Sequence, residues 1–414
     1  MLVSVVILAF KHNHSFLKML QPLKQTNLKI DAVYCIHPSN CHFSEISADV
    51  ISIPLVDDDY GATLNHLLPK MNASHTLIVN SQASLSKDIA IHQLTQQDTI
   101  VTGNHFACLI TNHAILHFPF PDKWLLPFPE SLLPFYLCTL PSEKKNLVTQ
   151  SSNWATASNR NKSTTYRSIA DWQQLYELEQ AQSQTIPVTV LIANYNQGNY
   201  LDTAIASCLT GSIVPEAIFV SDDGSTDSSP YRLTNWNHPT VTTSFTDHNQ
   251  GKVHALNDLL PSVQTPFILE LDADDWLDPN AFSVLAETLK MWPTSSPLLY
   301  GNLRRWKEER LHQLTYKGIA KGRAVSSSSS LRQYRFPLGP RIYRTASLRC
   351  LGGFIQSPYE EGRLYEDVST IYQLAKIGPL HYEDFTIYNV RDHAQSITQK
   401  NHSKWNGFLK QLDH

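Results

Sequence analysis

Apolar positions along this chain fall into two alternating rhythms. Short, nearly continuous runs of Val, Ile and Leu read as buried strands, and stretches with apolar residues three or four apart read as helices. Strands are predicted over residues 2–10, Asp31–Ile36 and His75–Val79, with helices over 15–24, 61–68 and Lys87–Leu94. Residues 118–141 are rich in Pro, Phe and Leu and predict an irregular apolar stretch. Residues 142–165 are polar and read as a linker, and Tyr166–Gln182 has helical spacing. The alternation then restarts. Val188–Ile192, Ala217–Val220 and Phe267–Leu271 are predicted strands, and Tyr200–Leu209, His254–Leu260, Ala281–Met291 and Glu366–Ile377 predicted helices. Residues 303–335 carry many basic side chains and a serine run and predict a mobile loop. Residues 381–397 read as a strand and a loop. Strands alternating with helices imply parallel α/β architecture. The expected organisation is an N-terminal α/β domain (1–141), a linker and helix (142–185), a second α/β domain (186–400) and a tail (401–414).

The two α/β runs match one another. Val3–Phe10 lies over Val188–Tyr195, Ala32–Cys35 over Ala217–Val220, and Thr63–Pro69 over Ala255–Pro261. From that last match the register runs without a gap into Leu77–Asn80 over Leu269–Asp272. The acids do not persist in the first run. His37 and Pro38 stand where Asp222 and Asp223 stand, and Asn80, Gln82 and Ala83 where Asp272, Asp274 and Asp275 stand. The alternative is coincidence between two ordinary α/β patterns. A true repeat would make the first domain a degenerate, non-catalytic copy of the second.

Chemistry concentrates in the second run. The apolar strand 267–271 ends in Asp272-Ala273-Asp274-Asp275. Carboxylates so close repel one another, and in a packed fold they call for a cation, of which Mg²⁺ or Mn²⁺ carrying a substrate phosphate suits them best. Two other strands of this run end in polar clusters, Asn194-Tyr195-Asn196 and Asp222-Asp223-Gly224-Ser225. Ligands of open α/β sheets bind beyond the carboxyl ends of the strands, so the three clusters would meet at one edge. That arrangement suits a nucleoside diphosphate with a bound metal.

These pieces, in this order, resemble a family 2 glycosyltransferase of GT-A fold over about residues 186–400. The resemblance rests on Val190–Asn196, Val220–Asp227, Asn249-Gln-Gly-Lys252 with Ala255–Asn257, and Leu271–Asp275. It continues through Tyr343-Arg344, Leu351–Phe354, Glu366-Asp367, and Arg391-Asp-His393 with Ser396. Asn194 stands where the family has proline. A QxxRW signature is absent, which favours single-sugar transfer over processive polymerisation. The resemblance implies that Asn194, Tyr195, Asn196, Asp222 and Asp223 contact the nucleotide-sugar, with Lys252 and Arg391 toward its diphosphate. It implies Asp272, Asp274 and His393 around a Mn²⁺ or Mg²⁺ ion, Asp272 also reaching the ribose, and Asp367 as general base. Several have a plainer alternative: an acidic surface turn for Asp272 and Asp274, an Asx-turn for Asp222 and Asp223, a helix N-terminal acid for Asp367, a solvated lysine for Lys252, a core or surface imidazole for His393. The basic loop within 304–335 would be a lid over the donor or merely solvated.

The implied function is an inverting, metal-dependent transfer of sugar from a nucleotide-sugar, a UDP-sugar first, to a carbohydrate, lipid-linked or protein-linked acceptor. By family analogy the setting is bacterial surface polysaccharide, lipopolysaccharide or glycoprotein assembly. A non-catalytic sugar- or nucleotide-binding module is the alternative. A sugar nucleotidyltransferase is weaker, because no Gly-rich basic loop follows either first strand. The net charge of −4 supplies no field for nucleic acid. The six cysteines form no CxxC pair, as expected for reduced thiols in a cytoplasmic protein. The apolar N-terminus lacks a basic leader and is too short to span a bilayer. Any membrane contact would be peripheral, at the inner face.

Overall fold

The structure is a computed structural model. It describes residues 2–10, 17–39, 50–81, 83–86, 101–147, 155–157, 163–178, 184–325, 328–331, 338–357, 359, 365–394 and 407–408. The chain divides into two compact units, Met1–Gln182 and Ser183–His414.

The first unit is built on a seven-stranded sheet. Its strands are β1 (Leu2–Leu8), β2 (Lys29–His37), β3 (Val50–Pro54), β4 (His75–Asn80), β6 (Val101–Asn104), β7 (Ala107–Thr111) and β8 (Lys145–Leu147). They lie in the order β3-β2-β1-β4-β7-β6-β8. β5 (Ala83–Leu85) pairs separately with β9 (Ala155–Ala157). β1 runs parallel to β2 and β4, and β7 antiparallel to β4. Within 118–141, expected to be irregular, Leu132–Thr139 forms a helix whose residues Leu132–Cys138 are all buried. Pro134 is compatible with it because its missing N–H falls among the first four, which have no partner inside a helix. The polar stretch 142–165 is not merely a connector: it supplies β8 and β9 to this unit, and Lys145 is buried with its Nζ on the Leu137 carbonyl at 2.8 Å. The helix expected at 166–182 runs over Thr164–Gln173. The helix expected at 87–94 lies outside the described residues.

The second unit is a nine-stranded mixed sheet. Its strands are β10 (Gln184–Asn194), β11 (Ile213–Asp222), β12 (Val241–Phe245), β13 (Phe267–Glu270), β14 (Trp276–Leu277), β15 (Leu298–Glu308), β16 (Leu314–Ala320), β17 (Arg341–Arg344) and β18 (His381–Asp392). The order is β12-β11-β10-β13-β17-β15-β18-β14, with β16 on β15. Alternate residues of β10 serve opposite faces. Val188, Val190 and Ile192 pack with the helices Leu201–Ser207 and Ala281–Met291. Leu191 packs on the other side with Lys252–Leu259 and Glu366–Ile377. A sheet covered on both faces explains why its central strands read as unbroken apolar runs. The loop expected within 303–335 is, over most of its described residues, the antiparallel hairpin of β15 and β16. Trp306, fully buried, donates its ring N–H to Asn389 at 2.9 Å, and Arg304 pairs with buried Asp278.

The two sheets have one topology. β3-β2-β1-β4-β7-β6-β8 repeats as β12-β11-β10-β13-β17-β15-β18, and the registers agree residue for residue at the centre. Val5 pairs with Val33 and Leu77, as Val190 pairs with Ile218 and Leu269. These are the positions superposed in the sequence alignment. Each unit also precedes its next central strand, β4 or β13, with an eight-residue helix running into a short 3-10 turn, Tyr60–Lys70 in the first and Lys252–Ser262 in the second.

Candidate active site

The central parallel strands of the second unit end side by side, with Asn194 of β10 paired to Asp222 of β11 and β13 on the other flank. Side chains sew the following loops together. Asn194, almost wholly buried, donates to Asp222 at 2.6 Å and to the Ser225 hydroxyl at 3.2 Å. Ser225 also accepts the Asn196 N–H at 2.8 Å, and Asn196 in turn accepts the Thr226 N–H at 2.8 Å. Asn196 sits at φ 55°, a left-handed conformation that asparagine tolerates. Tyr195 projects outward, 45% exposed. Asp223 is buried, and its two carboxylate oxygens accept the N–H groups of Gln250 and Gly251 at 2.8 and 2.7 Å, drawing in the loop that opens the helix Lys252–Leu259. Gly224 is required between them: its φ is +67°, and a Cβ would lie 2.6 Å from the His248 backbone. Asp222 and Asp223 therefore accept hydrogen bonds from the chain itself, with acceptor capacity left over on each carboxylate.

Beyond β13 the acids divide. Glu270, 2% exposed, takes two bonds from the Arg341 guanidinium at 2.9 and 3.0 Å, one from the Tyr343 hydroxyl at 2.7 Å, and pairs with Lys252 at 2.7 Å. Burial alone would raise its pKa. The Arg341 and Lys252 charges overcome that and hold it well below the usual carboxylate range. Asp272 pairs with the same two cations, Lys252 closely and Arg341 at 3.4 Å, and is likewise held low against its burial. Its backbone N–H donates to the Tyr388 hydroxyl at 3.0 Å. Asp275 is buried, accepts the Arg391 N–H at 2.8 Å, and is pushed well up, by burial first and then by the charges of Asp274 and Asp272.

Asp274 faces His393, with Oδ2 and Nε2 2.9 Å apart. His393 is buried and lies 5.1 Å from the Tyr200 ring. Arg391 is inserted between the rings of Tyr200 and Trp276, at 4.6 and 4.9 Å, and donates to the Asp274 carbonyl at 3.0 Å. It thus fixes the Asp274 turn from behind. Tyr200 itself donates to Glu308 of the β15–β16 hairpin at 2.8 Å. Asp367, at the start of the helix Glu366–Ile377, meets Arg341 at 3.2 Å.

The residues expected to contact the donor or the metal, with Asp367, therefore lie on the carboxyl side of one sheet, and most are joined by direct bonds; Ser396 lies outside the described residues. Lys252 is engaged by Glu270 and Asp272, and Arg391 by the Asp274 turn. Glu270, Arg341, Tyr343, Tyr200 and Glu308 were not singled out as site residues. The available signal was Glu270: a charge inside an otherwise apolar strand demands a buried cation. Among the described residues no three His, Cys, Asp or Glu side chains form a ready-made metal cage. One carboxylate oxygen and one imidazole nitrogen 2.9 Å apart nevertheless fit part of the shell of Mg²⁺ or Mn²⁺, the remainder coming from ligand oxygens.

Residues 189–341 match the family model described as Glycosyl transferase family 2. The chain is 24% identical over 238 residues to an uncharacterized glycosyltransferase of Rickettsia conorii, covering 54% of this chain and 38% of that protein. It is 30% identical over 123 residues to a chondroitin synthase of Pasteurella multocida, covering 29% and 13%. It thus spans well under half the length of these curated relatives. Among solved structures it is similar to S. aureus TarS in complex with UDP-GlcNAc, with 17% identity, TM-score 0.41, and 55% and 65% coverage. It is also similar to the mannosyltransferase PcManGT from Pyrobaculum calidifontis in complex with GDP-Man and Mn²⁺, with 15% identity, TM-score 0.38, and 59% and 70% coverage.

Proposed function

Because the second unit belongs to glycosyl transferase family 2, we propose that the chain transfers a sugar from a UDP-sugar to an acceptor hydroxyl with inversion, using a divalent cation. The observation that carries this reading is the meeting of the Asp222-Asp223 turn, the Asp274–His393 pair and Asp367 on the carboxyl side of one sheet. The turns at Asn194–Asn196 and Asp222–Ser225 seat the nucleoside, with Asp223 toward the base and Asp272 toward the ribose. Asp274 and His393 hold the cation. When bound, the ion would neutralise the departing diphosphate as a Lewis acid. Asp367 takes the proton of the acceptor hydroxyl while its oxygen bonds to the anomeric carbon, and the bond from that carbon to the diphosphate breaks on the opposite face. Similarity to chondroitin and hyaluronan synthases of Pasteurella multocida supports a growing sugar chain as acceptor and bacterial surface polysaccharide as product. Among the described residues no helix is long and apolar enough to cross a membrane. The proposed place of work is the cytoplasm, with any membrane contact peripheral, at the inner face.

The test is calorimetric titration of UDP with and without Mn²⁺. Binding that requires Mn²⁺ and is lost in Asp274→Ala, with the thermal transition retained, is expected. Metal-independent binding, or an Asp274→Ala variant that binds normally, would remove the metal assignment. No binding of UDP, GDP, dTDP or CMP would remove the nucleotide site altogether.

A further inference from the structure

The repeat supplies an internal control for the chemistry of the second unit. Directly across β13 and β17 stand Glu270 and Arg341, and directly across β4 and β7, at the equivalent positions, stand Ile78 and Cys108. Ile78, Cys108 and Glu270 are buried, and the Arg341 side chain is 13% exposed. The residue opening the helix before the central strand is Lys252 in the second unit and Tyr60 in the first. The same sheet in the same polypeptide therefore closes over an apolar pair. A buried ion pair is weak evidence for stability, since desolvation offsets most of its attraction, and apolar replacements of similar volume are often neutral. The fold does not require Glu270 and Arg341. They occur in the copy that carries the acid turns.

Their geometry says what they do there. Glu270 grips Nε and Nη2 of Arg341 edge-on, which fixes the plane of the guanidinium. The donors left over point to two carboxylates from other segments: Nη2 to Asp272 at 3.4 Å and Nη1 to Asp367 at 3.2 Å. The second Asp367 oxygen accepts the Val368 N–H at 2.8 Å. Among the described residues Arg341 thus joins the turn after β13 to the helix that carries Asp367.

We propose that Arg341, anchored on buried Glu270, is a positioning residue for transfer, holding the Asp367 carboxylate at a set distance from the Asp272 turn so that acceptor and donor meet in line. The proposal rests on reading Asp367 as the base. Both Asp367 oxygens keep a free acceptor direction, so the ion pair orients the carboxylate without blocking it. Lysine at position 341 would keep the charge but could not grip Glu270 with two donors while reaching Asp367.

The decisive variant is Glu270→Ile with Arg341→Cys, which writes the first unit's pair into the second. It is compared with Arg341→Lys and Asp367→Asn by UDP release from UDP-glucose, UDP-N-acetylglucosamine and UDP-glucuronate with Mn²⁺, alongside UDP titration and thermal melting. The double variant is expected to melt cooperatively and to keep its donor KM within a few-fold, while kcat falls on the order of 100-fold, the cost of a misplaced catalytic group. Arg341→Lys is expected to recover only part of that loss. A double variant, or an Arg341→Lys variant, with wild-type kcat would overturn the proposal. If either does so while Asp367→Asn is inactive, the base reading stands and the positioning role alone fails. A fully active Asp367→Asn would remove both.

Discussion

Neighbouring carboxylates in the second unit titrate in opposite directions because of what each faces. Glu270 and Asp272 look onto Arg341 and Lys252 and stay low against their burial, whereas Asp275 rises through burial first and then the acids beside it. Removing one partner is the damaging change. Glu270→Ala removes the two-point anchor of Arg341, whose side chain is 13% exposed, together with the partner of Lys252 and Tyr343, and should cost about 3–5 kcal/mol, more than the paired Ile/Cys exchange. Urea denaturation of the two variants measures the difference directly. At Gly224, alanine must adopt φ +67° and displace the His248 backbone, so Gly224→Ala should weaken UDP binding by tenfold or more, about 1.4 kcal/mol, read by titration. In the first unit His105 is held down to about 4, chiefly by burial, against a Gln173 backbone bond that raises it. Its proton enters the unfolded chain first. The stability it supplies is therefore full above about pH 6.5 and is lost as pH falls toward 4, on the order of 3 kcal/mol. The drop in urea midpoint between pH 7.5 and 4.5 should be smaller in His105→Gln. Such partners are what a sequence cannot display: Asp367 and His393 were legible as acids and bases in order, but Arg341 becomes visible only once β13 and β17 lie side by side.

Elements were legible where one rhythm ran long enough. The helices Ala281–Met291 and Glu366–Ile377 fall at the residues their spacing indicates. The β15–β16 hairpin was not legible, because Arg304, Arg305 and Lys307 interrupt the apolar run of β15 although that strand lies between β16 and β18, and the hairpin's apolar content is concentrated at few positions, such as Trp306 and Leu314. The Leu132–Thr139 helix was hidden differently. It is apolar all round and carries a proline, so it shows no face. The hairpin is anchored through Trp306 rather than through its tip, so Trp306→Ala should destabilise the second unit by about 3–5 kcal/mol. Thermal melting would show it, and a variant with an unchanged transition would mean the hairpin moves independently of the sheet.

At the scale of the whole chain, one sheet topology appears twice with different chemistry at its carboxyl edge. The alignment anticipated this through the matched runs at Val3 and Val188. Strand order and cross-strand register are long-range facts, which pairing alone reveals. Where the second unit has Glu270, Asp272 and Asp275, the first has Ile78, Asn80 and Ala83. A nucleoside diphosphate needs its charge met by a cation, and a cation needs carboxylates. A frame that has replaced those carboxylates with an amide and alkyl groups has nothing to recruit it. The chain should accordingly bind one UDP, not two, in the presence of Mn²⁺. Asn80→Ala should leave the affinity unchanged, while Asp274→Ala should take the stoichiometry to zero. A measured stoichiometry of two, with one site surviving Asp274→Ala, would mean that the first unit recognises nucleotides by a chemistry independent of carboxylate-bound metal.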